Sequence, residues 1–527
     1  MEQPVPTPAP ETPAPKTSAP KRKGGRALRL DRAASAAAGS NGGRFRRLVP
    51  AYELLDDRTL ALIEAQADWI LEQVGIEFRG DDVALDLFRQ AGARLDGNRV
   101  RFTPGHVRHL CTTAPARFLL HGRDPRMTVE LGGDALVLMP GYGSPFVTDL
   151  DHGRRYASLA DFRNFVKLAW MTPWLHHSGG TVCEPVDIPV NKRHLDMVLA
   201  QLTLSAKPFM GAVTAPQRAR DSIAMVRLVF GEAFVDGNAV IQGNINVNSP
   251  LLYDETMSRA LRIYAEANQC ICVSPAIFGG AMGPVSPAAV AAQTLAEAMV
   301  GIALGQLVRP GSPAVLGSFH STMNLRSGAL TFGTPEANLV TMALAQLGRR
   351  LGVPVRSGGG QITAANCADG QAMQDSANAM WATLMSGANQ VWHAAGWLEG
   401  GLTMSYEKFV LDLDNCGAML RLLQGMPVNE EAFARHAYFE AGPGKNFLST
   451  ADTLANFATA NRDSILPEAG PYETWRERGS PSAAERANRV WKDMLATYLA
   501  PPLDAEVARA LQEFVAARKL EMNDEWY

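Results

Sequence analysis

Apolar and polar positions repeat in one unit about eight times between Leu136 and Leu423: a short apolar strand, a loop, then a helix with an apolar stripe. The strands are predicted at 135–139, 175–183, 208–213, 239–247, 270–274, 314–319, 353–357 and 390–393. Helical spacing places the intervening helices at 159–170, 192–204, 218–230, 254–267, 286–304, 335–351, 370–387 and 405–423. Strands alternating with helical patterns imply parallel βαβ units. Eight in succession predict an α/β protein with a closed TIM (β/α)8 barrel over 132–425. In such barrels the loops after the strands build the active site.

A small N-terminal α/β region is expected over 46–131. Asp56 and Asp57 offer an N-cap to a helix carrying Leu62, Ile63, Ile70, Leu71 and Val74, and Gly75 supplies the stop. A second short helix follows from Asp81, then a turn at Gly97 into a strand. Beyond Met426 the chain is polar, helical and aromatic, which predicts a helical extension over 426–527 that wraps the barrel or meets another subunit.

Residues 1–45 are rich in Pro, Ala, Lys and Arg and lack the apolar core of a signal peptide. They cannot bury enough surface to offset ordering entropy, so a disordered tail is expected. A formal net charge of -3 over 527 residues leaves no electrostatic footprint for nucleic acid. No run of 18 apolar residues is present, so no membrane-spanning helix is expected. The six cysteines are scattered and none sits in a CxxC pair, which fits a reducing, cytoplasmic setting.

The loops after the strands carry Gly, Asn, Ser, His and aromatic residues but no familiar catalytic signature. There is no P-loop, HExxH or GxSxG, and Gly358, Gly359 and Gly360 lack the spacing of a dinucleotide fingerprint. His176 and His177, adjacent on a predicted strand, point to opposite faces and cannot share one ion. No protein-bound metal is expected. Aromatic rings instead gather at predicted strand ends: Tyr142, Phe146, Phe278, Phe319, Trp392 and Trp397, with His320 and His393 beside them. Rings facing one mouth suit a quaternary ammonium, which has no N–H to donate and is held by cation–π attraction. Packing at the rim explains the same rings equally well. Asn244, Asn246, Gly279 and Gly280 line further mouth loops, and Arg326 is a candidate clamp for a substrate carboxylate. Glu297 and Glu336 read as structural.

Motifs in consistent order from about Leu60 to Gly479 carry a family resemblance. They include Gly75-Ile-Glu-Phe, Asp149-Leu-Asp-His-Gly-Arg-Arg, Ser249-Pro-Leu and Phe278-Gly-Gly-Ala-Met-Gly-Pro-Val with Ala296-Glu297 downstream. Further ones are Arg326-Ser-Gly-Ala with Phe332-Gly-Thr-Pro-Glu, Ser357-Gly-Gly-Gly with Asp369-Gly-Gln-Ala, and Trp475-Arg-Glu-Arg-Gly. The chain resembles the trimethylamine methyltransferase family, in its branch without pyrrolysine, which includes glycine betaine:corrinoid methyltransferases. The resemblance implies a TIM barrel that moves a methyl group from an amine to the cobalt of a cobalamin carried by a separate corrinoid protein, with no cofactor held tightly by this chain. The pyrrolysine that activates trimethylamine in founding members falls in the segment matching Ser357–Gly360, here glycine-rich, so a quaternary amine is the expected substrate. Departures occur at Ala364, where family members often carry Asp, and at Asn446 and Asp452.

The expectation is therefore a methyltransferase with Tyr142, Phe319, Trp392 and Trp397 around the ammonium and Arg326 or His320 on a carboxylate. A homo-oligomer is expected. A barrel that binds a betaine without turnover, use of another methylamine, and transfer to a pterin remain the alternatives.

Overall fold

The computed structural model describes residues 44–462, 464–466 and 468–526. Seven strands form the parallel core of one curled ten-stranded sheet: β1 (Ala135–Leu138), β2 (Phe209–Met210), β3 (Ile241–Val247), β4 (Cys270–Gly279), β5 (Ala314–Gly317), β6 (Val355–Arg356) and β7 (Gln390–Val391). They pair in the order β1-β7-β6-β5-β4-β3-β2, every pair parallel. The sheet curls far enough for β3 and β7, which have three strands between them in that order, to touch through its interior. Gln390 Nε2 donates to Gln242 Oε1 at 2.8 Å, and Gln242 Nε2 donates back to Gln390 Oε1 at 3.1 Å.

The segment expected as a second strand, 175–183, is not a regular strand. The His176 N–H donates to the Leu138 carbonyl, but the Leu138 N–H turns to His176 Nδ1 instead of a backbone oxygen. Further along, Ser178 donates to the Pro208 carbonyl and Met210 to that of Gly179, whose φ is +88°. A side chain and a left-handed glycine take over the ladder, so the segment lies between β1 and β2 without pairing regularly.

Eight helices cover the outer face: α1 (Leu159–Met171), α2 (Arg193–Leu204), α3 (Pro216–Phe230), α4 (Glu255–Glu266), α5 (Pro287–Val308), α6 (Pro335–Leu351), α7 (Gly370–Met385) and α8 (Tyr406–Leu423). Their starts follow local chemistry. Ser158 and Asp161 form a capping box on α1, and Pro287 and Pro335 occupy first-turn positions of α5 and α6. By length and composition, α5 alone among the described helices could span a bilayer, yet 89% of its apolar window is buried inside the protein. Its Glu297 is satisfied by the Leu251 N–H and Gln293 Nε2, both at 2.9 Å, and by the Ser249 hydroxyl.

Residues up to Gly43 of the expected tail lie outside the described residues. Phe45–Arg46 is a strand, antiparallel to the start of β1. The helix Asp57–Trp69, capped by Asp56, packs on α5 and α6. The hairpin Phe118–Leu120 with Val129–Leu131 closes the N-terminal end of the sheet: Leu120, Val129 and Leu131 pack with Val137, Cys272, Val315 and Trp392 in the interior core. On the outside, α9 (Ala483–Ala496) lies on α8 and α1, and α10 (Ala505–Leu520) on α2 and α3.

Candidate active site

At the C-terminal ends of the strands the rings converge. His393 and Trp397 have centroids 4.9 Å apart, Phe319 lies 5.5 Å from His393 and 5.9 Å from Trp397, and Phe332 stands 5.0 Å from Trp397. On the other side, Tyr142 meets Trp392 at 5.8 Å. Between the two groups lies Arg356, the last residue of β6. Its guanidinium carbon is 4.4 Å from the Trp392 centroid and 5.7 Å from that of Phe319.

Arg356 is 2% exposed, and among the described residues it has no carboxylate within ion-pair distance. It donates to the Ser318 carbonyl and lies 3.3 Å from His393 Nε2, while its Nε has no partner. Burial lowers its pKa to about 10, so it remains a cation at neutral pH. A buried cation without a counter-ion is costly, and an incoming anion relieves that cost. Asn244 Oδ1, His393 Nδ1 and Trp397 Nε1 are likewise buried and unpartnered. Each such atom costs about 1–3 kcal/mol unless a ligand or water satisfies it. Burial first, then the charge of Arg356, drives His393 well below its ordinary pKa. Burial holds His320 at about 4. Neither ring is an imidazolium at pH 7.

The glycine run is built for close approach. A Cβ on Gly358 would strike the His320 ring at 2.6 Å, and one on Gly360 would collide with the Trp392 carbonyl. With Gly359 and Gly360 in left-handed conformations, the run packs the β6 loop against the backbone that carries Trp392 and His393. Gly280, also left-handed, abuts Leu325 at the rim.

Of the residues singled out from sequence, Tyr142, Phe319, Trp392, His393 and Trp397 come together. Asn244 stands on β3, and its Nδ2 donates to Asn246 Oδ1 at 3.2 Å. Others are engaged elsewhere. His320 Nε2 lies 2.9 Å from both the Ala337 carbonyl and Thr341 Oγ1 of α6, so the ring is pinned to the helix. Phe146 sits in a side sheet, 4.6 Å from Tyr156 and with the Arg154 guanidinium 3.6 Å above it. Arg326 is exposed at the turn of the hairpin Phe319–Met323/Leu330–Thr331. Gly279 ends β4 with only ordinary contacts around it. Asn446 and Asp452 belong to the exposed extension beyond α8.

Sequence reasoning passed over Arg356 and Phe332. A charged residue directly after the apolar run 353–355 was the available signal for the first. Beside Tyr142 the space left is about 50 Å³, room for a water or two. A larger cavity of about 320 Å³ lies away from the mouth, among Asp81, Arg220, Arg259 and Arg262. Arg262 is already paired with Asp81 and Arg259 with Glu255, so it reads as a groove crossed by ion pairs.

A curled α/β sheet with an aromatic mouth around a buried, unpaired guanidinium defines a candidate small-molecule site. The sequence comparison is specific. Residues 22–523 match the family described as trimethylamine methyltransferase (MTTB). The chain is 38% identical to the glycine betaine methyltransferase of Desulfitobacterium hafniense (strain Y51) over 91% of this chain and 100% of that protein. It is 27% identical to the L-carnitine:corrinoid methyltransferase of Eubacterium limosum, covering 84% of this chain and 92% of that one. The protein belongs to the trimethylamine methyltransferase family. Among solved structures, the Methanosarcina barkeri monomethylamine methyltransferase aligns at a TM-score of 0.47 and 11% identity over 90% of this chain and 93% of that one.

Proposed function

We propose that this chain transfers a methyl group from a quaternary amine carrying a carboxylate, glycine betaine foremost, to the corrinoid of a separate protein. The observation that carries this reading is Arg356, a buried cation with no counter-ion, set among aromatic rings. A betaine supplies both missing partners: its carboxylate faces the guanidinium and its ammonium faces Phe319, Trp397 and Tyr142. The relatives that act on glycine betaine and carnitine, by their names, support the same substrate class. We also infer that the sheet completes a (β/α)8 barrel, with the 176–179 segment in the eighth position through its bonds to Leu138, Pro208 and Met210.

The corrinoid supplies the nucleophile that accepts the methyl group. This chain binds, orients and excludes water. The C–N bond electrons remain on nitrogen and a neutral tertiary amine leaves, so no acid is required. Neutral His393 and His320 fit that demand. The rim around Gly280, where Val285 and Leu325 are exposed, offers an apolar edge to the corrinoid protein.

The test is the purified chain with its corrinoid protein in the cob(I) state and glycine betaine, followed by loss of the cob(I) absorbance and release of dimethylglycine. Turnover of tetramethylammonium or trimethylamine with none of glycine betaine would overturn the assignment.

A further inference from the structure

The two histidines at the mouth are held in opposite tautomers, and only one keeps its proton free. His320 Nε2 lies 2.9 Å from the Ala337 carbonyl. A carbonyl only accepts, so Nε2 of this neutral ring carries the proton and the buried, unpartnered Nδ1 is a bare acceptor. His393 is the reverse. Its Nε2 lies 3.3 Å from Arg356 Nη2. A guanidinium has only donors, so Nε2 must accept, and in a neutral ring the proton then sits on Nδ1. That N–H is buried with no partner, as is the Nε–H of Arg356.

The backbone that carries the ring is strained. His393 has a φ of +55°, in the left-handed region that a residue other than glycine seldom occupies. Neighbours fix it from both sides. The His393 N–H donates to the Pro140 carbonyl at 3.2 Å, and its carbonyl accepts from the Gln361 N–H at 2.8 Å. Gln361 is itself anchored, its Nε2 donating to the Ala394 and Asp412 carbonyls at 2.8 and 2.7 Å. Such backbone persists only where its surroundings over-determine it, and it clusters at ligand sites.

We propose that His393 is a second determinant of carboxylate recognition, its Nδ1–H donating to the substrate carboxylate beside Arg356, which fixes the tautomer that frees this donor. The proposal rests on the betaine reading above and deepens it, adding a neutral donor to the cation. A carboxylate has two oxygens with two lone pairs each and can accept from both side chains at once. A quaternary ammonium alone offers no acceptor, so the N–H serves only a substrate that carries the acid. The ring keeps its proton throughout.

Calorimetry on the full chain with glycine betaine and with tetramethylammonium tests it, the quantity being the ratio of the two dissociation constants. Strain from a new residue at φ +55° weakens both ligands alike and drops out of that ratio. His393→Asn sets an amide nitrogen where Nδ1 stands, and the preference for glycine betaine should change by less than about threefold. His393→Gln sets the amide where Nε2 stands, and the preference should fall roughly ten- to a hundredfold, the size of a lost hydrogen bond to a charged group. The opposite order overturns the proposal and leaves His393 as the acceptor that aims Arg356. Equal losses for both ligands overturn it in favour of packing. If a variant fails to fold, nitrogen-15 NMR of the histidine-labelled unaltered chain decides. An Nδ1–H signal should shift with glycine betaine and not with tetramethylammonium, and no such shift overturns the proposal. An unaltered chain that binds tetramethylammonium but not glycine betaine removes the betaine reading and this one with it, whereas a reversed order of variants strikes His393 alone.

Discussion

Arg356 and Lys408 are both buried cations within a short walk of the same mouth, and their surroundings are opposites. Lys408 is fully buried and saturated: its Nζ donates to Asp412 Oδ1 and Oδ2 at 2.6 and 2.7 Å, to Ser376 Oγ at 2.9 Å and to the Gln361 carbonyl at 3.3 Å. Asp412 in turn accepts the Gly396 N–H that fixes the turn after His393. Arg356 has a carbonyl, a neutral imidazole and ring faces, with Nε left bare. A saturated pair specifies a packing arrangement, whereas an unsaturated charge waits for something absent from the chain.

The sharpest way to break this comparison is Arg356→Met. Losing the counter-charge of a substrate carboxylate in a buried site costs about 3–5 kcal/mol, so kcat/KM for glycine betaine should fall by roughly a hundred- to several-thousand-fold. The melting temperature should hold or rise, because an unpaired buried charge has been removed. A stable variant with unchanged kinetics would place the carboxylate elsewhere.

Lys408→Met should behave in the reverse sense. It strands Asp412 and lowers unfolding free energy by about 3 kcal/mol or more, read by denaturant titration, while Lys408→Met/Asp412→Leu recovers most of the loss. Burial already lifts the Asp412 pKa to about 6, which marks the aspartate as the member that neutralises when left alone.

The two mouth histidines sharpen the contrast through pH. His320 at about 4 and His393 well below 6.5 are neutral when folded but protonate near 6.5 when unfolded. The unfolded chain therefore binds more protons below pH 6.5, and stability is lost as pH falls from 6.5 toward 4. Each histidine contributes up to about 1.4 kcal/mol per pH unit. His320→Gln, which can keep a bond to α6, should flatten this slope in thermal melts. An unchanged slope would show that His320 does not contribute.

Smaller effects separate ring chemistry from ring bulk. Phe319→Leu should weaken glycine betaine binding by about 1 kcal/mol, roughly fivefold by calorimetry. Binding of 3,3-dimethylbutyrate, which keeps the carboxylate but has carbon in place of the ammonium nitrogen, should hardly change. Smallest of all, Arg326→Ala should move KM by less than about twofold, as for an exposed arginine outside the cluster.

Much of this was legible in the chain. The helix over 335–351 matches α6 residue for residue, because Thr334, Pro335 and Gly352 mark both ends. The strands were found from their apolar runs, except at 175–183, where the His176 side chain and Gly179 replace ladder bonds that no periodicity reports. The ring positions were readable because strand ends on one side of a parallel sheet share one mouth. Their partners were not: Phe146 is claimed by Arg154, and His320 by α6, through contacts from distant sequence. Nor did the sequence show what the glycine run packs against: the space its Cβ atoms would take is filled by His320, Thr383 and the Trp392 carbonyl. Arg356, at the centre of the proposed site, is a charge at the end of a strand, whereas Arg326 is a charge in an exposed turn outside the cluster.

The hairpin formed by Phe118–Leu120 and Val129–Leu131 stoppers the sheet at the end away from the mouth. A vessel with one opening imposes a queue. In the proposed reaction the amine must load before the corrinoid protein covers the mouth, and the demethylated amine stays trapped until that protein departs. Turnover at saturating substrate would then track the lifetime of the protein–protein complex, and excess corrinoid protein would slow the cycle by sealing empty sites.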